Sequence, residues 1–509
     1  MELRDYVGQK LVLGIAGTEI TAEIIQHFRQ LRAGGLILYR RNFVSPVQVR
    51  ALISDLEEGL GRRLLVLVDH EGGRVIMFRE GVTIFPDNLA VGATGTVEYA
   101  RRQGEIEARE LRRLGIDVNL APVLDVLTPA YSPNIGIRSY GQDWQLVAAL
   151  GSARIAAMQA GGLSACAKHF PGKGHAPLDA HLGLPVIPST WQEMAEVHLP
   201  PFLAAIEAGV DLIMSSHPYY PNLDPGPGQI ATFSRRLIFD HLRQELNFAG
   251  VISSDDLEMG AVAATCPIGQ AGVLATRAGH DLLLICHTPK AQAEVQEALM
   301  TAYLNRELSW TELEASVNRI QTLRAKRPLQ FEPGQLEPEP EGVNLAATIS
   351  RQAVQILQDK AGLLPLAGRY QKVGVIFPRF AQLADRIMIE PQMLAAKEFL
   401  EGELGQFGVR PEICLVNMEP TAADLLAAEQ LAGRIEVTIF FCYDAHLFSA
   451  NKVLLDRLQA AARQLVVVLL RDPYDVEFLQ PRVTCLTAFG WRVCQLQAVL
   501  AAICRNLAP

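Results

Sequence analysis

Between residues 10 and 290 the chain carries eight short apolar runs, each closed by polar residues and followed by a stretch of helical spacing. In order they are "KLVLGIAG", "GGLILYR", "RLLVLVDHEGG", "IDVNLAPVLDV", "GLSACAKHFPG", "GVDLIMSSH", "GVISSDDLEM" and "HDLLLICH". Val, Ile and Leu run through them without polar alternation, the pattern of parallel strands covered on both faces. Stretches such as "QLVAALGSARIAAMQAG" and "WQEMAEVHLPPFLAAIEAG" supply the intervening helices. Eight strand-then-helix units in about 300 residues predict an α/β fold of the (β/α)8 barrel type. A doubly wound open sheet is the competing arrangement, but its usual mark, a GxGxxG turn after the first strand, is missing.

The pattern "SWTELEASVNRIQTLRAKR" closes the barrel, which is expected over residues 1–328. Next comes "PLQFEPGQLEPEPEG", whose proline and glutamate content reads as a semi-rigid linker over 329–343. Five further apolar runs follow: "KVGVIFP", "EICLVNM", "EVTIFFCYD", "QLVVVLLRDPYD" and "VTCLTAFG". With helical segments between them they predict a C-terminal α/β sandwich over 344–509. A chain of 509 residues exceeds what one core usually serves, so two domains fit its length.

Net charge is −9 with no compensating basic cluster, which argues against a nucleic-acid partner. No apolar run approaches the roughly 20 residues of a membrane span. The start, "MELRDYVGQKLVLGIAG", lacks the basic region and long apolar core of a signal peptide, so a cytoplasmic protein without a membrane partner is expected. Eight cysteines, at 166, 266, 286, 414, 442, 485, 494 and 504, form no CxxC pair. Most lie in apolar segments and read as reduced core residues. Their spacing offers no zinc set; neither a metal nor a cofactor is expected.

Polar residues close nearly every barrel run: Asp69, Asp125, Lys168 with His169, His217, Asp255, and Cys286 with His287. In a parallel barrel those ends open onto one face, where active sites are built. The stretch "AKHFPGKGHAPLDAHLGLP", residues 167–185, is too broken by proline and glycine for a helix or strand. It is a loop on that face. Within it Asp179 and His181 form an Asp-x-His pair, and alternate residues of an extended loop project to the same side. The carboxylate can then orient the imidazole and leave the other ring nitrogen to trade a proton near neutral pH. A capped turn with a surface histidine is the structural alternative.

Asp255 closes a buried apolar strand, which is costly unless something pairs with it or uses it. Its neighbour Asp256 is expected to cap the following helix. "DHEGGRV" sets Asp69 before two glycines that let backbone approach a ligand, and "NIGIRSYG" places Arg138 after the fourth strand. Several donors with one carboxylate, and no metal-ligand cluster, suit a substrate rich in hydroxyls. A set of barrel-rim salt bridges would use the same residues.

Taken in order, "VDHEGGRV", "NLAPVLDV", "IRSYG", "KHFPGKGHAPLDAHLGLP", "IMSSHPYYP" and "GVISSDDLEM" resemble glycoside hydrolase family 3, and within it the β-N-acetylglucosaminidases (β-N-acetylhexosaminidases). "ISRQAVQILQDKAGLLPL" and "LLRDPYD" resemble that family's C-terminal sandwich. The resemblance implies a retaining exo-glycosidase acting on a small glycoside that contains N-acetylglucosamine, such as a cell-wall muropeptide. Asp255 would be the nucleophile and His181, assisted by Asp179, the general acid/base, in place of the usual second carboxyl. Asp69, Arg138, Lys168 and His169 would hold the sugar, with His217 at a further substrate position. The family's β-glucosidases lack the Asp-x-His loop, which favours the acetylglucosaminidase reading. Phosphorolysis, β-glucosidase activity and a degenerate sugar-binding protein remain as alternatives. Two departures stand out. The common "KHFPGHGD" carries Lys173 and His175 here, and the common "DRS(F/Y)" carries Ile137 in place of its acidic residue. A lysine near the pocket suits an anionic acceptor.

Overall fold

The computed structural model describes residues 2–128, 132–176, 184–226, 229–326 and 334–505. Eight parallel strands close into a barrel in sequence order: β1 (Leu11–Gly14), β2 (Gly35–Leu38), β3 (Leu65–Val68), β4 (Val118–Asn119), β5 (Ser164–Phe170), β6 (Leu212–Ser215), β7 (Val251–Asp256) and β8 (Leu282–Ile285). β8 pairs back onto β1, Leu283 opposite Leu11. The continuous apolar runs have the expected cause. Inward side chains including Val12, Ile37, Leu65, Leu67, Val118, Cys166, Met214 and Leu284 fill the lumen as one buried cluster. Their neighbours face the surrounding helices, so each strand is covered on both sides.

Helix boundaries follow local chemistry. Helix Trp144–Ala160 begins where the Asp143 carboxylate accepts the Gln145 N–H. Helix Pro46–Leu60 starts on Ser45 with proline in its first turn, and stops at Gly61, whose φ of 66° suits a left-handed cap. The pattern "WQEMAEVHLPPFLAAIEAG" forms helix, but with a wider π turn over Met194–His198 before Pro200–Glu207. Pro200 and Pro201 have no N–H to return to the preceding turn. The Leu199 N–H instead reaches the Met194 carbonyl five residues back, at 2.8 Å.

The second sheet has the order β11-β10-β12-β13-β14-β9. Its strands are β9 (Gln355–Gln358), β10 (Lys372–Pro378), β11 (Arg410–Val416), β12 (Val437–Cys442), β13 (Gln464–Leu469) and β14 (Thr484–Thr487). All neighbours are parallel except β9, which runs antiparallel along β14. Five of these strands coincide with the expected runs; β9 does not. It is a half-exposed edge strand without a continuous apolar run.

Two compact units result. One comprises Met1–Glu71, Glu80–Thr83 and Gly95–Gly342; the other comprises Gly72–Arg79, Ile84–Thr94 and Val343–Pro509. Two pieces of the chain after β3 therefore belong to the second unit, where sequence alone suggested uninterrupted spans of 1–328, 329–343 and 344–509. Helix Pro340–Ala353 begins inside the segment expected to be linker.

Candidate active site

Two irregularities in the barrel ladder re-aim side chains at its C-terminal rim. On β5, Lys168 and Phe170 face the adjacent residues Met214 and Ser215, so His169 is one extra residue bulged from the strand. On β7, Ser253 and Asp256 face Leu282 and Leu284, which again inserts one residue beside Asp255. Bulges of this kind recur at barrel rims next to active sites because they redirect the residues around them.

A buried charge cluster converges there. Lys168 Nζ lies 2.5 Å from Asp69 Oδ1 and 2.6 Å from Glu71 Oε1. Arg138 donates to the same Glu71 through Nε at 2.8 Å and Nη2 at 2.7 Å. Its Nη1 donates to the Asn134 carbonyl and side-chain oxygen. Burial alone would raise the Glu71 carboxyl, but Arg138 and Lys168 outweigh it and hold the group far below the usual carboxylate range. The Lys168 ammonium is held above its ordinary value: burial opposes this, and Asp69 and Glu71 override it. Asp69 itself is pushed up, first by burial and then by Glu71, against the pull of Lys168.

Asp125, fully buried, organises a second group. Its Oδ2 accepts from His169 Nδ1 at 2.8 Å and its Oδ1 from the Lys173 N–H at 2.7 Å. Burial and the cations Lys173, Arg138 and Lys168 keep His169 well below its usual range, hence neutral. With the ring proton on Nδ1, its Nε2 is an acceptor. Burial raises Asp125, against Lys173 and its N–H.

Asp255 lies beside these groups. Its Oδ1 accepts the Asp256 N–H at 2.9 Å, and its Oδ2 is 3.8 Å from Lys173 Nζ. Burial would raise this carboxyl; Lys173, His217 and the Asp256 N–H bring it below the usual value, so Asp255 is ionised. Lys173 is lowered by its own burial and by Arg138 and Lys168, with Asp255 and Asp125 pulling the other way. The Asp255 side chain keeps 18% of its exposure and Asp69 keeps 20%, whereas Lys168 keeps 2% and Lys173 4%. A bound molecule therefore meets the two aspartates first, with the cations behind them.

His217 follows β6 and is buried. Nδ1 lies 2.8 Å from Thr232 Oγ1 and Nε2 lies 3.0 Å from the Asp256 carbonyl, so both ring nitrogens have protein partners. Asp256 departs from expectation. It does not cap the next helix, which starts at Gly260 after Met259. Its Oδ1 accepts the Glu258 and Cys286 N–H groups, and its Oδ2 lies 2.9 Å from His287 Nε2. His287 Nδ1 is in turn 2.9 Å from Arg41 Nη1. Sequence reasoning missed Glu71, although two buried cations, Lys168 on β5 and Arg138 in the turn Gly136–Arg138, require an anion between them. It also missed the Arg41–His287–Asp256 chain.

Asp179 and His181 lie outside the described residues. The stem leading to them is firmly seated: Tyr220 Oη donates to the Gly172 carbonyl at 2.9 Å, and His175 Nδ1 is 2.5 Å from Thr128 Oγ1. A Cβ on Gly174 would fall 1.9 Å from the Val126 carbonyl oxygen, so only glycine lets the stem lie against the backbone that follows β4. Ile137 is fully buried in the turn before Arg138.

The model of the glycosyl hydrolase family 3 N terminal domain matches residues 3–323. A β-hexosaminidase of Thiobacillus denitrificans is 39% identical over 291 residues, covering 56% of this chain and 80% of its own. Another, of Methylobacillus flagellatus, is 37% identical over 291 residues, covering 56% and 82%. A solved glycoside hydrolase family 3 β-N-acetylglucosaminidase from Paenibacillus sp. str. FPU-7 superposes with a TM-score of 0.93, covering 100% of this chain and 97% of its own at 30% identity.

Proposed function

The chain belongs to glycosyl hydrolase family 3, and from that premise we propose that it is a retaining exo-glycosidase releasing terminal β-linked N-acetylglucosamine. The observation that carries this reading is Asp255: an ionised carboxylate at the end of β7, partly open to the rim and backed by Lys173. Its free oxygen attacks the anomeric carbon, the glycosidic bond breaks, and a glycosyl ester forms on Asp255. His181, oriented by Asp179, gives its proton to the departing oxygen. The same imidazole then takes a proton from water as that water attacks the anomeric carbon, which frees the sugar and restores the carboxylate. Asp69, Arg138, Lys168 and His169 bind the ring hydroxyls. Asp69 and the His169 Nε2 serve as acceptors, and the guanidinium and ammonium as donors. The names of the relatives and of the Paenibacillus structure support the N-acetylhexosaminide class. Cell-wall fragments ending in N-acetylglucosamine are the natural substrate class we assign. Among the described residues no helix is long and apolar enough to cross a membrane.

The test uses a fluorinated N-acetylglucosaminide whose ester hydrolyses slowly, followed by mass spectrometry of peptides. A sugar mass on the peptide carrying Asp255 supports the assignment; label elsewhere, or full turnover by Asp255→Ala, overturns it. His181→Ala should lose less rate on aryl glycosides with good leaving groups than on poor ones. Equal loss on both removes the acid role. Lys173 supports a second reading, in which phosphate replaces water in the second step. Sugar 1-phosphate forming in phosphate buffer would establish phosphorolysis, and free sugar alone would exclude it.

A further inference from the structure

The second unit holds a polar cluster that the glycosidase reading leaves unused. It lies just past the C-terminal ends of β12 and β13, at the sheet edge where open α/β folds place ligands. One carboxylate oxygen each of Asp444 and Asp472 and one ring nitrogen of His446 all lie within 4.8 Å of one another. Asp444 and Asp472 are each 1% exposed.

Asp475, also buried, adds a third carboxyl. Arg471 is a cation partner of this group: its Nη1 pairs with Asp444 Oδ2 and its Nη2 is 3.7 Å from Asp472 Oδ2. Asp444 Oδ1, the oxygen that Arg471 Nη1 does not take, is buried with no hydrogen-bond partner among the described residues. A buried lone pair without a donor is costly and calls for an explanation.

Asp475 is arranged as the support of a metal-binding histidine. Its Oδ1 lies 2.6 Å from His446 Nδ1 and accepts the His446 N–H at 2.8 Å, while its Oδ2 accepts the Ala445 N–H at 2.7 Å. A carboxylate on one ring nitrogen fixes the tautomer and turns the other toward a metal. We propose that Asp444 Oδ1, His446 Nε2 and an Asp472 oxygen form a binding site for a zinc-like divalent cation in the second unit. One imidazole with two carboxylates suits Zn2+, with water as the fourth ligand. Bonds of about 2.0–2.2 Å require the three side chains to draw together by roughly 1 Å, a matter of small rotations. The expectation of no metal came from cysteine spacing, which is blind to a donor set drawn from two strand ends.

The test titrates Zn2+ into the full-length chain after stripping with EDTA, against a chromophoric chelator. The background is Asp255→Ala with His181→Ala, so that metal on the barrel face does not contribute. One equivalent should bind. Asp444→Asn and, separately, His446→Ala should weaken that equivalent by at least about 100-fold, and Asp475→Asn by about 10–100-fold. Should Asp444→Asn fail to fold, His446→Ala, which lies at the half-buried edge, decides. No bound equivalent at micromolar Zn2+, or unchanged binding in a folded ligand variant, overturns the proposal.

Discussion

Glutamine in place of Glu71 removes the anion on which the site's two inner cations meet, without changing the size of the side chain. Glu71 receives Arg138 Nε at 2.8 Å, Arg138 Nη2 at 2.7 Å and Lys168 Nζ at 2.6 Å. The three side chains are 2%, 11% and 2% exposed, so water cannot take over the lost contacts. The amide keeps one acceptor oxygen but turns an NH2 group toward a cation. Breaking a buried pair by neutralising one partner costs about 3–5 kcal/mol. Asp69 still holds Lys168, which points to the lower end, about 3 kcal/mol. Urea unfolding monitored by tryptophan fluorescence reads this directly, since Trp144, Trp191 and Trp310 lie in the barrel unit and only Trp491 in the other. Activity recorded over the same urea range identifies the barrel's transition.

The pH dependence has a definite sign. The folded Glu71 carboxyl is held far below its ordinary value of 4.5, burial being overridden by Arg138 and Lys168. Its stabilisation is therefore fully present above the unfolded value and declines as pH falls, because the unfolded chain takes up a proton that the folded one refuses. The gap between wild type and Glu71→Gln should be flat near neutrality and narrow steadily below about pH 4.5. A gap under about 1 kcal/mol at pH 7, or one that stays constant in acid, would falsify the assignment of Glu71 as the shared anchor.

Three other outcomes follow from the same geometry. Lys173→Met should move the acid limb of kcat/KM upward, because burial is then less opposed in raising Asp255, while Lys173→Arg should keep the limb in place; pH profiles with an aryl N-acetylglucosaminide decide. Gly174→Ala should abolish most turnover, since its Cβ meets the Val126 carbonyl at 1.9 Å and must displace the stem; circular dichroism should show both units still folded. Asp125→Asn should raise KM as well as lower kcat, because it loosens His169 and the Lys173 backbone together; a change confined to kcat would count against a binding role for His169.

The barrel was readable because its strands are covered on both faces, which leaves unbroken runs of Val, Ile and Leu in the sequence. β9 was not, for the opposite reason: it lies half-exposed on an edge and carries no such run. The positions of Asp69, Lys168, His169 and Asp255 at strand ends could be read from where each run stops. Their partners could not. Glu71 sits two residues beyond Asp69 in a quoted motif, yet its importance comes from Arg138 and Lys168, distant in sequence and brought together by closure of the sheet. Asp256 looked like a helix cap because a helix follows; the turn Leu257–Met259 intervenes, and its carboxylate turns to β8 instead. One boundary between the two units falls between Gly342 and Val343, but Gly72–Arg79 and Ile84–Thr94 join the second unit through tertiary packing that no local pattern records.

The departure at position 173 changes the electrostatics of the two half-reactions unequally. In the free enzyme four carboxyls, Asp69, Glu71, Asp125 and Asp255, face three basic side chains, Arg138, Lys168 and Lys173. Lys173 is buried and its ammonium has Asp255 Oδ2 at 3.8 Å. On the proposed mechanism, formation of the ester removes the charge from Asp255. Lys173 then loses its near anion while remaining out of water, and only the weaker pull of Asp125 is left to it. Losing the close counter-charge of a buried cation is costly, so the covalent intermediate is the state in which an incoming anion, or the negative charge developing on Asp255 as the ester breaks, gains most from this lysine. A neutral histidine at the same position would offer no such gain. Lys173 should therefore act mainly on the second step, whether water or phosphate completes it.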